Sequence, residues 1–336
     1  MIRRSFIKKT GAVSSLLPFA ALLTSAQAAP PELLIPAPLQ PGDTIGLVTP
    51  ATYITEEQLE QAVQQFESFG FKVKWSPNML VRKGFLAGTD AQRVDDLHNM
   101  FSNEDIKAIF CGRGGYGSAR LLPMLNYDLI RDNPKIFMGF SDITALLFGV
   151  HQKTGLRVYH GPMGTSDYTA ITEKYFRKFL IGNPKEVLLH SREDENQMEV
   201  IRPGKASGGL IGGNLSLLVA LVGTPYDISY ENKVVFIEEV GEAPYRVDRM
   251  LTQLITAENK LQSAAAIVLG DFSDCDTDTP EKSLSLDYVL HDRLGNLNVP
   301  VVRGIPFGHE ADNITFPFGA NAEVDTAAGT IKVKLS

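Results

Sequence analysis

A serine hydroxyl becomes a useful nucleophile only where the fold presents it at an open corner and supplies a base. One segment of this 336-residue chain offers such a corner. Lys135-Ile136-Phe137-Met138-Gly139-Phe140-Ser141-Asp142-Ile143-Thr144-Ala145-Leu146-Leu147 joins a strand-forming apolar run to Gly-x-Ser, and an apolar helix-like pattern follows at once. A serine there projects away from the sheet, beside helix N–H groups that can hold an anion. The usual hydrolase elbow reads Gly-x-Ser-x-Gly, and Ile143 stands where its last glycine would be. The competing use of Ser141 is as the N-cap of a helix starting near Asp142.

A base and an acid must come from elsewhere. Of the six histidines, His98 and His151 fall in amphipathic helical patterns, and His190 and His291 in polar surroundings. His160 (in Tyr159-His160-Gly161-Pro162) and His309 (in Phe307-Gly308-His309-Glu310) follow buried strands, where the sites of parallel sheets collect. Glu238 and Glu239 close the apolar run Val234-Val235-Phe236-Ile237. A carboxylate at such a strand end can fix an imidazole tautomer. The bland alternative pairs one of the two with Arg246 or Arg249 downstream. No His/Cys spacing suits a metal.

Gly112-Arg113-Gly114-Gly115-Tyr116-Gly117 matches the dinucleotide fingerprint G-x-G-x-x-G. It follows the third expected strand rather than the first, and no strand-ending acid follows at the ribose-binding distance. Two other readings are a flexible turn and a loop whose bare N–H groups serve an oxyanion. A dinucleotide-binding oxidoreductase is the rival enzyme class, and a non-catalytic peptidoglycan-binding module the rival outside enzymes.

Strand and helix patterns alternate around these residues. Strands are expected at 44–48, 71–75, 107–111 and 136–138, and helices at 55–70, 90–101 and 118–125. After a charged and polar stretch come a helix from Leu215, a strand at 234–238, a helix at 245–257, a strand at 264–269, a helix at 284–294 and a short strand at 301–302. The tail segments 313–316, 322–325 and 330–335 alternate like antiparallel strands. The fold class is therefore α/β, with an N-terminal parallel-sheet lobe of Rossmann or flavodoxin type and a smaller C-terminal α/β lobe with antiparallel tail strands. The expected division is an export signal over 1–28, a Pro-rich lead over 29–41, the nucleophile lobe over 42–182, an inter-lobe linker over 183–205 and the second lobe over 206–336.

The first segment holds Arg3, Arg4, Lys8 and Lys9 without an acid, then an apolar stretch, then Ala26-Gln27-Ala28. That is the pattern of an export signal too short to span a membrane, and Arg3-Arg4-Ser5-Phe6-Ile7-Lys8 resembles a twin-arginine signal. The expected location is the periplasm, with no stable membrane insertion after the signal is removed. Its removal leaves 28 Lys and Arg against 39 Asp and Glu, a net charge of about −11, which argues against a nucleic-acid partner. Cys111 and Cys275 are the only cysteines. They could pair in an oxidising compartment, but their separation gives no pattern to read. Cys111, at the end of a strand, is expected to be free and buried.

These residues together resemble the LD-carboxypeptidase family of serine peptidases, which includes the microcin-immunity peptidases. The resemblance is carried by Arg113-Gly114-Gly115-Tyr116-Gly117 with Leu121-Leu122, by Gly139-Phe140-Ser141-Asp142-Ile143-Thr144-Ala145 and by Gly161-Pro162-Met163. Further on it rests on Gly212-Gly213-Asn214-Leu215, Gly223-Thr224-Pro225, Ile237-Glu238-Glu239, Pro244 to Leu251 and Phe307-Gly308-His309. It implies a catalytic triad of Ser141 as nucleophile, Glu238 as acid and His309 as base, with the backbone N–H groups of Gly115 and Asp142 as oxyanion hole. Ser118 is then left to helix capping. The implied reaction removes the terminal D-alanine from a murein tetrapeptide, or cleaves a peptide antibiotic conjugate. The resemblance implies neither metal nor cofactor, and it implies pairing as a homodimer.

Overall fold

The computed structural model describes residues 31–182, 184–191, 198–258 and 260–335. The expected export segment and the charged tract 192–196 lie outside them. Among the described residues two sheets form. The first takes β1 (Thr44–Val48), β2 (Lys72–Trp75), β3 (Ile106–Cys111), β4 (Ile136–Gly139) and β5 (Tyr159–His160), all paired in parallel. The strands β1, β3 and β4 are apolar and nearly wholly buried, as a parallel sheet covered by helices on both faces requires. Capping boxes open two of its helices, Glu56–Ser68 through Thr55 and Gln58, and Asp90–Ser102 through Thr89 and Gln92.

The second sheet contains β6 (Glu186–Leu189), β7 (Glu199–Arg202), β8 (Lys205–Asn214), β9 (Lys233–Val240), β10 (Ala266–Ser273) and β11 (Val301–Arg303). After β12 (Phe316–Pro317) the chain returns to it with β13 (Asn321–Asp325) and β14 (Thr330–Lys334). Its order is β6-β14-β13-β8-β9-β10-β11-β7, with β8 to β11 parallel in the middle and antiparallel strands outside.

Two segments depart from the expected layout. The stretch 183–205, expected to link the lobes, supplies both edge strands of this sheet, β6 and β7. Its charged middle reads as a linker, whereas Glu186-Val187-Leu188-Leu189 buries Val187 and Leu189 against the sheet. The tail segment expected at 313–316 joins the other sheet: β12 pairs antiparallel with β5, placing Phe316 opposite His160. The reason is aromatic packing. The Phe316 ring stacks on Phe236 of β9 at 4.4 Å and meets Phe307 edge-on at 4.8 Å.

Between the sheets runs the helix Thr144–Thr154, buried from Thr144 through Val150. Its first two turns are apolar on every side, as a segment inside a protein must be, and only His151 to Lys153 reach toward the surface. Its start is docked on the second sheet, where Thr144 Oγ1 accepts the N–H of Asn214 at 3.2 Å. A Cβ on Gly213 would lie 2.6 Å from the same oxygen, so only glycine permits the approach.

Candidate active site

Ser141 follows β4 directly and opens a single 3-10 turn, Ser141–Ile143, ahead of the buried helix. Its φ is +60°, a left-handed conformation that a residue with a side chain adopts at a cost of about 1–3 kcal/mol. The surroundings impose it. The N–H of Ser118 donates to the Asp142 carboxylate at 2.8 Å, and the Ser118 hydroxyl donates to the Asp142 carbonyl. Ser118 therefore braces the serine turn. It stands ahead of a 3-10 helix, Ala119–Met124, where an α-helix is expected, and its side chain makes no capping bond there. Nor does Ser141 cap a helix, because its hydroxyl has another partner.

That partner is His309. Its Nε2 lies 3.0 Å from Ser141 Oγ, and its Nδ1 lies 2.8 Å from Glu238 Oε2. The three residues come from the end of β4, the end of β9 and the loop after β11. Gly308 makes the last approach possible: its φ is +130°, and a Cβ there would press on Glu238 and Asp271 at 3.2–3.3 Å. Glu238 is wholly buried and its second oxygen, Oε1, has no hydrogen-bond partner among the described residues. Burial raises its pKa against the opposing pull of His309. For His309, burial favours the neutral ring. The hydrogen bond and charge of Glu238, with the charges of Glu239 and Glu310, outweigh it and hold the imidazole above its ordinary value.

Glu239 faces the other way. Its carboxylate accepts from Asn214 Nδ2, from the N–H and hydroxyl of Ser216 and from the N–H of Val240. Neither glutamate pairs with the downstream arginines as the bland alternative has it, and Arg246 pairs with Glu242 instead. Both carboxylates end a strand at the centre of the sheet, where the alternation of side chains sends one to each face.

The remaining sequence candidates separate cleanly. The glycine-rich loop packs on Ser141, since a Cβ on Gly114 would lie 2.9 Å from Ser141 Cβ. Gly115, with φ +107°, turns against Thr52 and borders the same cleft as Ser141, while Asp142 is buried behind it. The loop is held from below by Arg93, a buried cation that donates to the carbonyls of Pro50 at 2.6 Å and Gly117 at 2.9 Å. Sequence reasoning misses Arg93, because an arginine on an amphipathic helix reads as surface. His160 is wholly buried and edge-on to Phe140, Phe236, Phe307 and Phe316. Burial, with the nearby His309, pushes its pKa down to about 3, and neither ring nitrogen has a hydrogen-bond partner among the described residues, so it is not joined to Ser141. Cys111 and Cys275 are free and buried. The cleft in front of the relay has a volume of about 480 Å³ and reaches from Arg113 and Gly114 to Ser166, Val240 and Glu310.

Residues 45–161 match the LD-carboxypeptidase N-terminal domain, and residues 207–324 match its C-terminal domain. The chain belongs to the LD-carboxypeptidase family. It is a serine-type hydrolase of the carboxypeptidase kind. Among its relatives, a probable murein peptide carboxypeptidase of Bacillus subtilis is 39% identical, covering 89% of this chain and 94% of that protein. The murein tetrapeptide carboxypeptidase of Pseudomonas aeruginosa is 34% identical over 84% of this chain and 92% of its own length. The crystal structure of the muramoyltetrapeptide carboxypeptidase from Oxalobacter formigenes superposes with a TM-score of 0.76 at 29% identity, covering 86% of this chain and 97% of that one. Family membership sets aside the dinucleotide reading, and the glycines serve close packing around the serine.

Proposed function

We propose that this enzyme removes the C-terminal D-alanine from murein tetrapeptides in peptidoglycan turnover, hydrolysing the bond between an L-centre and the D-residue. The observation that carries the reading is the unbroken relay from Ser141 through His309 to buried Glu238 at a cleft of peptide size. Ser141 Oγ attacks the scissile carbonyl as its proton passes to His309 Nε2. Glu238 holds the Nδ1–H tautomer and stabilises the imidazolium that forms. Backbone N–H groups of Gly115 and Asp142 receive the oxyanion. His309 then gives its proton to the departing alanine nitrogen, leaving an acyl-serine. Water, deprotonated by His309, resolves that ester and restores Ser141.

Purified protein incubated with defined muropeptides should release one alanine per tetrapeptide, read by mass, and Ser141→Ala should release none. Cleavage of an aminoacyl-nucleotide conjugate with intact tetrapeptide would favour the antibiotic-conjugate reading. Murein in the periplasm is the substrate pool this reading requires, and the basic, then apolar, N-terminal sequence fits export there. Replacing Arg3 and Arg4 together by lysine should stop export while leaving folded enzyme in the cytoplasm. Normal processing of that double variant would rule out the twin-arginine route.

A further inference from the structure

The cleft wall carries a cation that the relay does not use. Arg113 borders the cleft with Gly114, Ser141 and His309. It is exposed and has no ion-pair or hydrogen-bond partner among the described residues, whereas the nearby Arg93 and Arg120 both pair with Asp90. His309 apart, it is the one basic side chain on that wall among the described residues, and Asp167 and Glu310 also stand there. In a chain with 39 acidic residues against 32 basic ones, an uncommitted guanidinium beside the nucleophile is a place for a substrate anion.

We propose that Arg113 is the specificity-determining residue that binds the free α-carboxylate of the leaving amino acid, so that the enzyme cuts only at a chain end. The proposal rests on the peptidase reading above and adds the group that recognises the substrate's terminus. The geometry is one of short reach. A Cβ on Gly114 would nearly touch Ser141, and the Cα of Arg113 lies one peptide unit, about 3.8 Å, from that of Gly114. In a carboxypeptidase substrate the terminal carboxylate carbon is three bonds from the scissile carbonyl carbon, roughly 3–4 Å away. A carboxylate attached to a peptide seated on Ser141 therefore falls within the sweep of the Arg113 side chain. The planar guanidinium offers two parallel N–H donors to such a group, a geometry that lysine lacks. Asp167 and Glu310 repel a carboxylate turned toward them, which adds discrimination against the reversed orientation. An internal peptide bond places an uncharged amide where the anion belongs and leaves the arginine unanswered.

The test uses the full enzyme and two peptides, the tetrapeptide with a free C-terminus and the same tetrapeptide with a C-terminal amide. Wild type should prefer the acid strongly. Arg113→Gln should lose about 100-fold in kcat/KM on the acid and little on the amide, so that the preference collapses. Arg113→Lys should fall between the two. Labelling of Ser141 by a small fluorophosphonate should stay within a few-fold of wild type in both variants, showing an intact relay. If Arg113→Gln keeps the preference for the acid, or loses equally on both peptides, the assignment of Arg113 is overturned while the peptidase reading stands. If wild type releases nothing from either peptide, the peptidase reading falls and takes the assignment with it.

Discussion

At the scale of single residues, the site works through two protonation states held apart by their surroundings. On the proposed mechanism His309 must be neutral to accept the Ser141 proton, yet Glu238 favours its charged form and raises its pKa. Activity is therefore lost as pH falls through that raised value. The acidic limb of kcat/KM against pH should lie above the ordinary imidazole value. In Glu238→Gln the hydrogen-bonded charge that favours imidazolium is gone, and burial is opposed only by the charges of Glu239 and Glu310. The limb should then move to lower pH while kcat drops, and a limb that stays in place would separate Glu238 from the titration of His309. The hydrogen bonds Glu238–His309–Ser141 also imply that the three act as one unit. Ser141→Ala and His309→Ala should each lower kcat by several orders of magnitude, with the double variant little worse than either single. Multiplying losses in that cycle would mean two independent roles.

At the scale of elements, the relay depends on loops that run very close to each other. Gly114 has no room for a side chain against Ser141. Gly114→Ala should displace the hydroxyl by a few tenths of an ångström and cut kcat/KM by about tenfold or more, with little change in melting temperature. Kinetics and calorimetry on one preparation check both halves of that statement. The same loops mark what could be seen in the sequence. Strand-ending Glu238, the corner at Ser141 and the histidine of Phe307-Gly308-His309 are legible because each sits where an apolar run stops. The parallel strands β1, β3 and β4 are legible for the same reason. Arg93, the Ser118 brace and the Asn214–Glu239 contact are not legible, since each bond joins residues from 24 to 43 positions apart through backbone carbonyls or a carboxylate. The edge strands β6 and β7 were hidden too, because a strand paired on one side only tolerates charge and resembles a linker.

At the scale of the whole molecule, Ser141 and His309 follow strands of different sheets, and an aromatic cluster holds those sheets together. Phe316 is the hinge pin of that cluster, fully buried and in contact with Phe236, Phe307 and His160. Phe316→Ala should cost about 3–5 kcal/mol of stability, read as a lowered denaturant midpoint. It should also weaken turnover in the protein that remains folded, because the Ser141–His309 distance is set across this contact. An unchanged midpoint would show that the sheets are joined elsewhere.

The pairing of β12 with β5 has a consequence for how the enzyme comes into being. Ser141 meets a histidine 168 positions further along the chain, and β12, the strand that fastens the two halves, follows that histidine in sequence. A growing chain can complete the strands β1 to β5 and still lack both Glu238 and His309. The relay from Ser141 to His309 therefore forms by closure over a long loop, which is slower than the pairing of neighbouring strands. A nascent product that stops short of His309 lacks the relay altogether and, on the proposed mechanism, is inert toward peptides.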